Sequence, residues 1–151
     1  MAKFLRTTDF GIGRQVAALP WRLEEDGSTS LLLVTSRTNQ KWMLPKGWPM
    51  AGKSDAEAAL QEAREEAGIE GTVSDTPIGS YHFIKLLDDG TTKPSQAVIY
   101  SVRVLTQLNK WDEKDERRRK WFSLRKAAKA VFEPDLTRFL SNLASGRPAL
   151  F

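Results

Sequence analysis

The sequence predicts an α+β fold in which a mixed β-sheet packs against helices. Apolar and β-branched segments typical of strands come first, a sharply bounded helix follows, and further strands precede two terminal helices. This order lacks the regular strand–helix alternation of a parallel α/β sheet. The chain of 151 residues is long enough to close one hydrophobic core, so we expect a single domain over residues 1–151.

Three strands are predicted before the central helix. Residues 15–21 and 30–35 are short apolar runs, separated by a polar stretch that contains the turn dipeptide Asp26-Gly27. Residues 41–44 form a brief third strand. A loop rich in glycine and proline, residues 45–52, then leads to the helix.

The central helix has well-marked ends. Ser54 supplies a capping hydroxyl three residues before Glu57, whose side chain can reach back to the N–H group of the cap. Most residues between them and Gly68 are strong helix formers, and Gly68 is a typical left-handed stop. We therefore expect a helix of roughly three to four turns over residues 55–67.

The second half of the chain predicts a hairpin and two helices. Residues 78–87 and 96–105 are rich in β-branched and aromatic residues, with Asp88-Asp89-Gly90 in the loop between them. One more short strand and two terminal helices are predicted at residues 119–123, 123–131 and 135–143.

The composition excludes several classes of protein. The chain has no cysteine, which excludes a disulfide framework and a zinc–thiolate site and favours a cytoplasmic location. No apolar run is long enough to span a bilayer, and residues 1–13 lack the apolar core of a signal peptide, so no membrane partner is expected. The net charge of +4 is compatible with phosphate-rich ligands, with nucleic acid or with an ordinary surface.

Three glutamates share one face of the central helix. Glu62, Glu65 and Glu66 fall within an arc of about 100°, because they are related by i,i+3 and i,i+4 spacing. Like charges at this spacing each cost roughly 0.2–0.5 kcal/mol, and a bound hard cation such as Mg²⁺ would offset that cost. A solvated helical face is the alternative; the preceding glycine- and proline-rich loop and the sharp helix ends favour a metal site.

Residues 47–53 and 61–69 resemble the Nudix box, G-x5-E-x7-R-E-U-x-E-E-x-G-U, in which U is a bulky aliphatic residue. The flanking strands and residues 117–122 are similar to one branch of that family, the diphosphoinositol polyphosphate and diadenosine polyphosphate phosphohydrolases. The resemblance implies the Nudix α/β/α sandwich with a mixed sheet.

Three positions depart from the box. Lys53 stands where the family has Glu, Gln61 where it has Arg, and Ala63 where it has a larger aliphatic residue. In the family the arginine orients a glutamate; Gln61 can still form a hydrogen bond but cannot supply the charge. This departure bears on catalytic efficiency more than on the chemistry. Lys53 either contacts a substrate phosphate or points into solvent, and the solvent position is favoured.

The resemblance also implies a metal-dependent mechanism, with Mg²⁺ as the cofactor and Mn²⁺ as an alternative. Glu62 and Glu66 are the expected main metal ligands, and the carbonyl of Gly47 is expected to complete the metal shell. Glu65 is expected either to bind a further ion or to act as the base that orients water, so Glu65 and Glu66 are the predicted catalytic residues. The metal would lower the pKa of bound water and neutralise phosphate charge.

Seven residues are predicted to bind a phosphorylated small-molecule substrate. The cations among them lie on or beside strands that lead toward the loop, and an aromatic residue in the loop could stack on adenine or could pack the loop. For the basic run that contains Arg118, contact with substrate and a solvated edge are equally compatible with the sequence. His82 is expected to be structural, and Glu116 to be a possible extra carboxylate. The seven are Arg14, Ser36, Arg37, Lys41, Lys46, Trp48 and Arg118.

Three functions compete. The first is hydrolysis of phosphoanhydride bonds in diadenosine or diphosphoinositol polyphosphates. The second is a Nudix pyrophosphatase for another nucleoside diphosphate derivative, such as a nucleotide sugar, a damaged nucleotide or capped RNA. The third is a catalytically silent module that binds a phosphorylated ligand or nucleic acid; clustered carboxylates facing a polyanion disfavour it. The oligomeric state and the physiological substrate are left open.

Overall fold

The computed structural model describes residues 11–147, so the ends of the predicted domain and most of residues 1–13 lie outside the described residues. Within them the chain forms eight strands and three helices. In chain order these are β1 (Gly13–Leu23), β2 (Thr29–Thr35), β3 (Trp42–Met43), β4 (Lys46–Gly47), α1 (Asp55–Ala67), β5 (Ile69–Val73), β6 (Gly79–Leu86), β7 (Thr92–Gln107), β8 (Arg119–Ser123), α2 (Leu124–Ala130) and α3 (Pro134–Ala144).

The strands form one mixed sheet. Its main path runs β3-β2-β1-β7-β5, and β4, β6 and β8 pair with β1, β7 and β2 respectively. The long central pair β1 and β7 is parallel, whereas the other strand pairs are antiparallel. One apolar layer forms between the sheet and α1, and a second forms between the sheet and α2 with α3. The predicted α+β sandwich is therefore confirmed.

Helix α1 lies close to the sheet because the face that it buries is made of small residues. Ala56, Ala59, Ala63 and Ala67 are all buried, at the spacing that places them on one side of the helix. The predicted capping box at Ser54 is present, and the helix ends at Gly68, whose backbone is left-handed. The bounds predicted for this helix are confirmed.

Two short strands were not predicted. β4 lies inside the stretch that was expected to be a loop, and it forms only two residue pairs with β1, at Val16 and Ala17. β5 begins directly after Gly68 and pairs with the carboxyl half of β7. Strand β7 is longer than predicted because its first half pairs with β6 and its second half with β5.

None of the helices within residues 11–147 is both long enough and apolar enough to cross a membrane.

Candidate active site

The box helix and strand β4 meet at Gly47. A methyl group in place of the Gly47 hydrogen would overlap the carboxylate of Glu62, so glycine lets this carboxylate lie directly against the β4 backbone. The next residue back, Lys46, donates its backbone N–H to Oε1 of Glu66 at 3.2 Å. The two-residue strand therefore lies directly against two glutamates of α1.

Glu62 and Glu66 form a close pair of carboxyl groups. Burial raises the pKa of Glu62 to about 9, and a hydrogen bond with Glu66 and the negative charges of nearby carboxylates add to the effect. The Glu66 side chain is buried, and its pKa is also raised, first by burial, although the Arg117 guanidinium acts in the opposite direction. Two hydrogen-bonded carboxyl groups repel each other when both are ionised, so a shared proton or a bound cation stabilises the pair.

Glu65 points elsewhere. Its Oε1 accepts a hydrogen bond of 2.9 Å from Nε2 of Gln61, one turn earlier on the helix. Both residues line a cavity of about 580 Å³ beside α1, together with Lys53 and Trp111. Lys53 is exposed at the edge of this cavity, so the two charge-changing departures from the box lie on the same side of the helix.

The side chains suit a hard divalent cation. Within residues 11–147, no three carboxylate, imidazole or thiolate side chains are gathered in an arrangement that could hold a metal ion. The three box glutamates therefore do not form a ready three-carboxylate cluster; Glu65 is hydrogen-bonded to Gln61 instead. Two carboxylates with a backbone carbonyl nearby still match Mg²⁺, which usually takes one or two carboxylates and completes its shell with water and substrate phosphate. The predicted metal ligands and catalytic residues stay predictions.

Lys46 lies in a buried polar pocket on the other side of β4. Its ammonium is 3.9 Å from Oε2 of Glu133 and 4.5 Å from the ring centroid of Phe83, and its side chain is 10% exposed. Burial lowers the pKa of Lys46, and burial raises the pKa of Glu133. Oε1 of Glu133 and the hydroxyl of Tyr81 are both buried without a protein partner. The lysine predicted to bind substrate is thus paired within the protein.

Arg117 and Glu113 were missed as site residues. The Arg117 side chain is 7% exposed, and its NH2 lies 3.6 Å from Oε2 of Glu66. Its Nε donates to Oε1 of Glu113 at 2.8 Å, and its NH1 donates to the carbonyl of Thr35 at 3.0 Å. Both residues lie in the charged stretch before β8, where four successive basic residues give no local signal of which one points inward.

The segment of residues 108–119, here called the strap, also holds the end of α1. The backbone N–H of Glu113 donates to the carbonyl of Glu65, and Nε1 of Trp111 donates to the carbonyl of Glu66, both at 3.1 Å. Arg119 donates to the carbonyls of Ala67 and Gly68 at 2.9 and 3.1 Å. Its guanidinium lies 3.9 Å from the centroid of the Trp111 ring. The carbonyls that a helix end leaves without helical partners are therefore bonded to the strap.

Four predicted substrate-binding residues lie together around the β2–β3 turn. Oγ of Ser36 accepts a bond from the backbone of Lys41 at 3.0 Å, and Arg37 lies 3.9 Å from a carboxylate oxygen of Glu116. Arg118 is exposed, with its guanidinium 5.4 Å from the centroid of the Trp42 ring. This group forms an exposed polar and basic surface at the turn, and its substrate role stays a prediction.

The remaining predicted residues are spread over the neighbouring elements. Arg14 on β1 forms an ion pair with Asp55 in the first turn of α1. The Trp48 ring is partly buried, with the ammonium of Lys85 6.0 Å from its centroid. His82 is exposed, and its backbone N–H donates to Asp135 at 2.7 Å, which ties β6 to the start of α3.

Known proteins share this sequence pattern and fold. A NUDIX domain model matches residues 13–143. Nudix hydrolase 12, mitochondrial, of Arabidopsis thaliana is 27% identical over 124 residues, which cover 72% of this chain and 61% of that protein. Diphosphoinositol polyphosphate phosphohydrolase 3-beta of Homo sapiens is 24% identical over 140 residues, which cover 90% of this chain and 80% of that protein.

The solved structure of a C. elegans Ap4A hydrolase binary complex has the same fold. Its TM-score to the chain is 0.64 with 20% sequence identity, and the match covers 87% of this chain and 95% of that one. Against its Arabidopsis relatives the chain is short, spanning 59–62% of the length of the first four.

Proposed function

The chain belongs to the Nudix family, and from this premise we propose that it is a divalent-metal-dependent hydrolase that cuts phosphoanhydride bonds. Its proposed substrates are diadenosine polyphosphates or diphosphoinositol polyphosphates. The observation that carries the proposal is the close Glu62–Glu66 carboxyl pair on the family-matched helix, held against the side-chain-free backbone of Gly47.

The chemistry follows from the donor atoms. A magnesium or manganese ion bound there would supply an activated water and neutralise charge on the bridging phosphates. Glu62 and Glu66 would hold the ion with the carbonyl of Gly47. Glu65, tied by Gln61 at the edge of the neighbouring cavity, would orient the attacking water or bind a further ion. The general base in this proposal is either Glu65 or Glu66.

The substrate class is supported by the relatives and by the cations near the glutamates. The human relative is named for diphosphoinositol polyphosphates, which carry clustered phosphates. In this chain the exposed surface at the β2–β3 turn, with Arg37, Lys41 and Arg118, lies next to Thr35, whose carbonyl binds the buried Arg117 beside Glu66. A polyphosphate could extend from the metal site across these cations.

A Nudix pyrophosphatase for another nucleoside diphosphate derivative is the second candidate. The partly buried ring of Trp48, next to the ammonium of Lys85, offers a surface on which a nucleobase could stack while a phosphate meets the cation. This arrangement would serve any nucleotide, including a diadenosine polyphosphate, better than an inositol ring, so it weighs against the diphosphoinositol substrates only. The cytoplasmic location predicted from composition is retained as part of the proposal.

The proposal is tested with the purified protein, Mg²⁺ and a panel of phosphoanhydrides. The panel contains diadenosine polyphosphates, diphosphoinositol polyphosphates, nucleoside triphosphates, ADP-ribose and 5′-triphosphate RNA, with products resolved by chromatography. We expect cleavage in the first two classes and a loss of about 100-fold or more in Glu65→Gln and Glu66→Gln, because each removes a charged group from the reaction site.

Glu25→Gln is the matched control, since Glu25 is an exposed residue of the β1–β2 turn. Cleavage of another panel member, with the same dependence on the glutamates, would keep the chemistry and change the substrate. If no compound is cleaved with any divalent metal, the enzyme proposal fails and a phospholigand-binding module replaces it.

A further inference from the structure

We propose that Arg117 is a positioning residue for Glu66, and that it supplies a charged contact to this glutamate from outside the box. This inference rests on the proposed function. The guanidinium and the Glu66 carboxylate form an ion pair of 3.6 Å in which both side chains are almost completely buried.

The Glu66 carboxylate is held from two sides. Oε1 accepts the backbone N–H of Lys46 on β4, and Oε2 faces NH2 of Arg117. The hydrogen bond and the ion pair come from two separate elements, so β4 and the strap both position Glu66, whose carboxyl group also shares a hydrogen bond with Glu62. A carboxylate that binds metal keeps further lone pairs for the ion when its outer contacts are satisfied in this way.

Arg117 is itself held rigidly. Glu113 accepts from its Nε, and the carbonyl of Thr35 at the end of β2 accepts from its NH1. All three guanidinium nitrogens thus face acceptors, and the planar fork cannot turn without losing contacts. The position of Glu66 is therefore set by β2 and the strap as well as by its own helix.

Gln61 cannot perform this task. Its amide bonds to Glu65, and it lies on the cavity side of α1, whereas Glu66 faces β4 and the strap. Glu65 keeps the neutral hydrogen bond from Gln61, whereas the charged contact to Glu66 comes from Arg117, about fifty residues later in sequence. A lysine at this position would keep the charge but lose most of the three-way contact.

The test measures Mn²⁺ binding by electron paramagnetic resonance and steady-state kinetics in Arg117→Gln and Arg117→Lys. Arg125→Gln, at an exposed arginine of α2, is the matched control. We expect Arg117→Gln to bind Mn²⁺ at least about tenfold more weakly and to lose about 10–100-fold in kcat, the usual range for residues that hold a metal ligand. KM for the phosphoanhydride is expected to change less than about threefold, and Arg117→Lys to lie between the two.

Thermal unfolding separates positioning from folding. Equal or tighter Mn²⁺ binding by a folded Arg117→Gln would overturn the proposal, because the guanidinium would then act only as a competing cation. A loss of stability with unchanged kcat in the folded fraction would overturn it as well. The Mn²⁺ measurement needs no substrate, so it tests Arg117 even if every compound of the panel remains uncleaved.

Discussion

Gly47 matters to the site because it has no side chain. The Glu62 carboxylate occupies the space in which any other residue would place its Cβ. Gly47 is in β4, so the requirement is close approach and not a left-handed backbone conformation. The glycine of the box therefore determines where one of the two paired carboxylates can lie.

Replacing Gly47 with alanine is expected to impair activity much more than stability. The atoms that a methyl group would meet are the far end of a flexible side chain, which can rotate away at little cost. Displacing Glu62 by about 1 Å is enough to cost roughly 100-fold in kcat/KM. The measurement is kcat/KM with saturating Mg²⁺, alongside the midpoint of thermal unfolding. Normal kinetics in the alanine variant would show that Glu62 is not held at the reaction site.

The arginines around the start of β8 show what the sequence can and cannot predict for single residues. Arg117 and Arg119 point inward and Arg118 is exposed, which is the alternation of an extended chain. The basic run predicted cations near the substrate, but four successive charges carry no hydropathy contrast. Which of them faced the glutamates depended on the register of β8 against β2, from Ser30↔Ser123 to Val34↔Arg119, and that pairing is not written in local sequence.

At the scale of elements, α1 is fixed at both ends by different means. Its amino end is closed locally by the Ser54–Glu57 capping box. Its carboxyl end is closed by the strap, through Trp111 and Arg119, which lie more than forty residues away. The glutamates of the proposed metal site lie in the last two turns, so the distant contacts hold the part of the helix that carries the proposed chemistry.

Gly68 is where this contact is most sensitive. Its φ of 65° is left-handed, and a methyl group there would overlap the ring of Trp111. We expect Gly68→Ala to destabilise the protein by about 2–5 kcal/mol, from left-handed strain of roughly 1–2 kcal/mol and overpacking of roughly 1–3 kcal/mol. Denaturant unfolding in parent and variant measures the difference.

Gly27→Ala provides the comparison for that prediction. Gly27 also has a positive φ, of 85°, but nothing lies within 4 Å of a Cβ built there. It should cost only the strain, about 1 kcal/mol. Equal losses at the two glycines would mean that the Trp111 ring adapts freely and does not hold the helix end.

The elements with strong local signals were predictable. The capping box and Gly68 fixed both ends of α1, and the β-branched runs located β6 and β7. β4 was hidden because its two residues, Lys46 and Gly47, have no strand pattern and pair only through β1. The mixed topology was also hidden, since the parallel pairing of β1 with β7 joins residues about eighty positions apart.

Across the whole molecule, Glu62 and Glu66 lie at the edge of the layer between α1 and the sheet, where burial and the proposed metal binding oppose each other. α1 presents its alanines to the sheet, and Glu62 and Glu66 at the edge of that face point at β4. Burial favours the protonated carboxyl groups, whereas the proposed metal requires them ionised. The balance between proton and cation should therefore be visible in the stability of the entire fold.

Stability of the metal-free protein is expected to fall as pH rises from about 5 to about 8. The pKa of Glu62 is raised to about 9 in the folded state from its ordinary value of 4.5, so the folded protein binds more protons than the unfolded chain across this window. Solvent contact of Glu62 screens part of the effect, and we expect at least about 1 kcal/mol, or roughly 2–4 °C in Tm. Because other buried groups titrate too, the comparison is with Glu62→Gln, whose Tm should depend less on pH in the presence of EDTA.

Mg²⁺ should raise the Tm of the parent more at about pH 8 than at about pH 5, since it replaces a proton only where the proton is weakly held. If the Tm difference between the parent and Glu62→Gln stays constant with pH, the pKa of Glu62 is not raised. If Mg²⁺ raises the Tm of Glu62→Gln as much as that of the parent, the ion binds elsewhere.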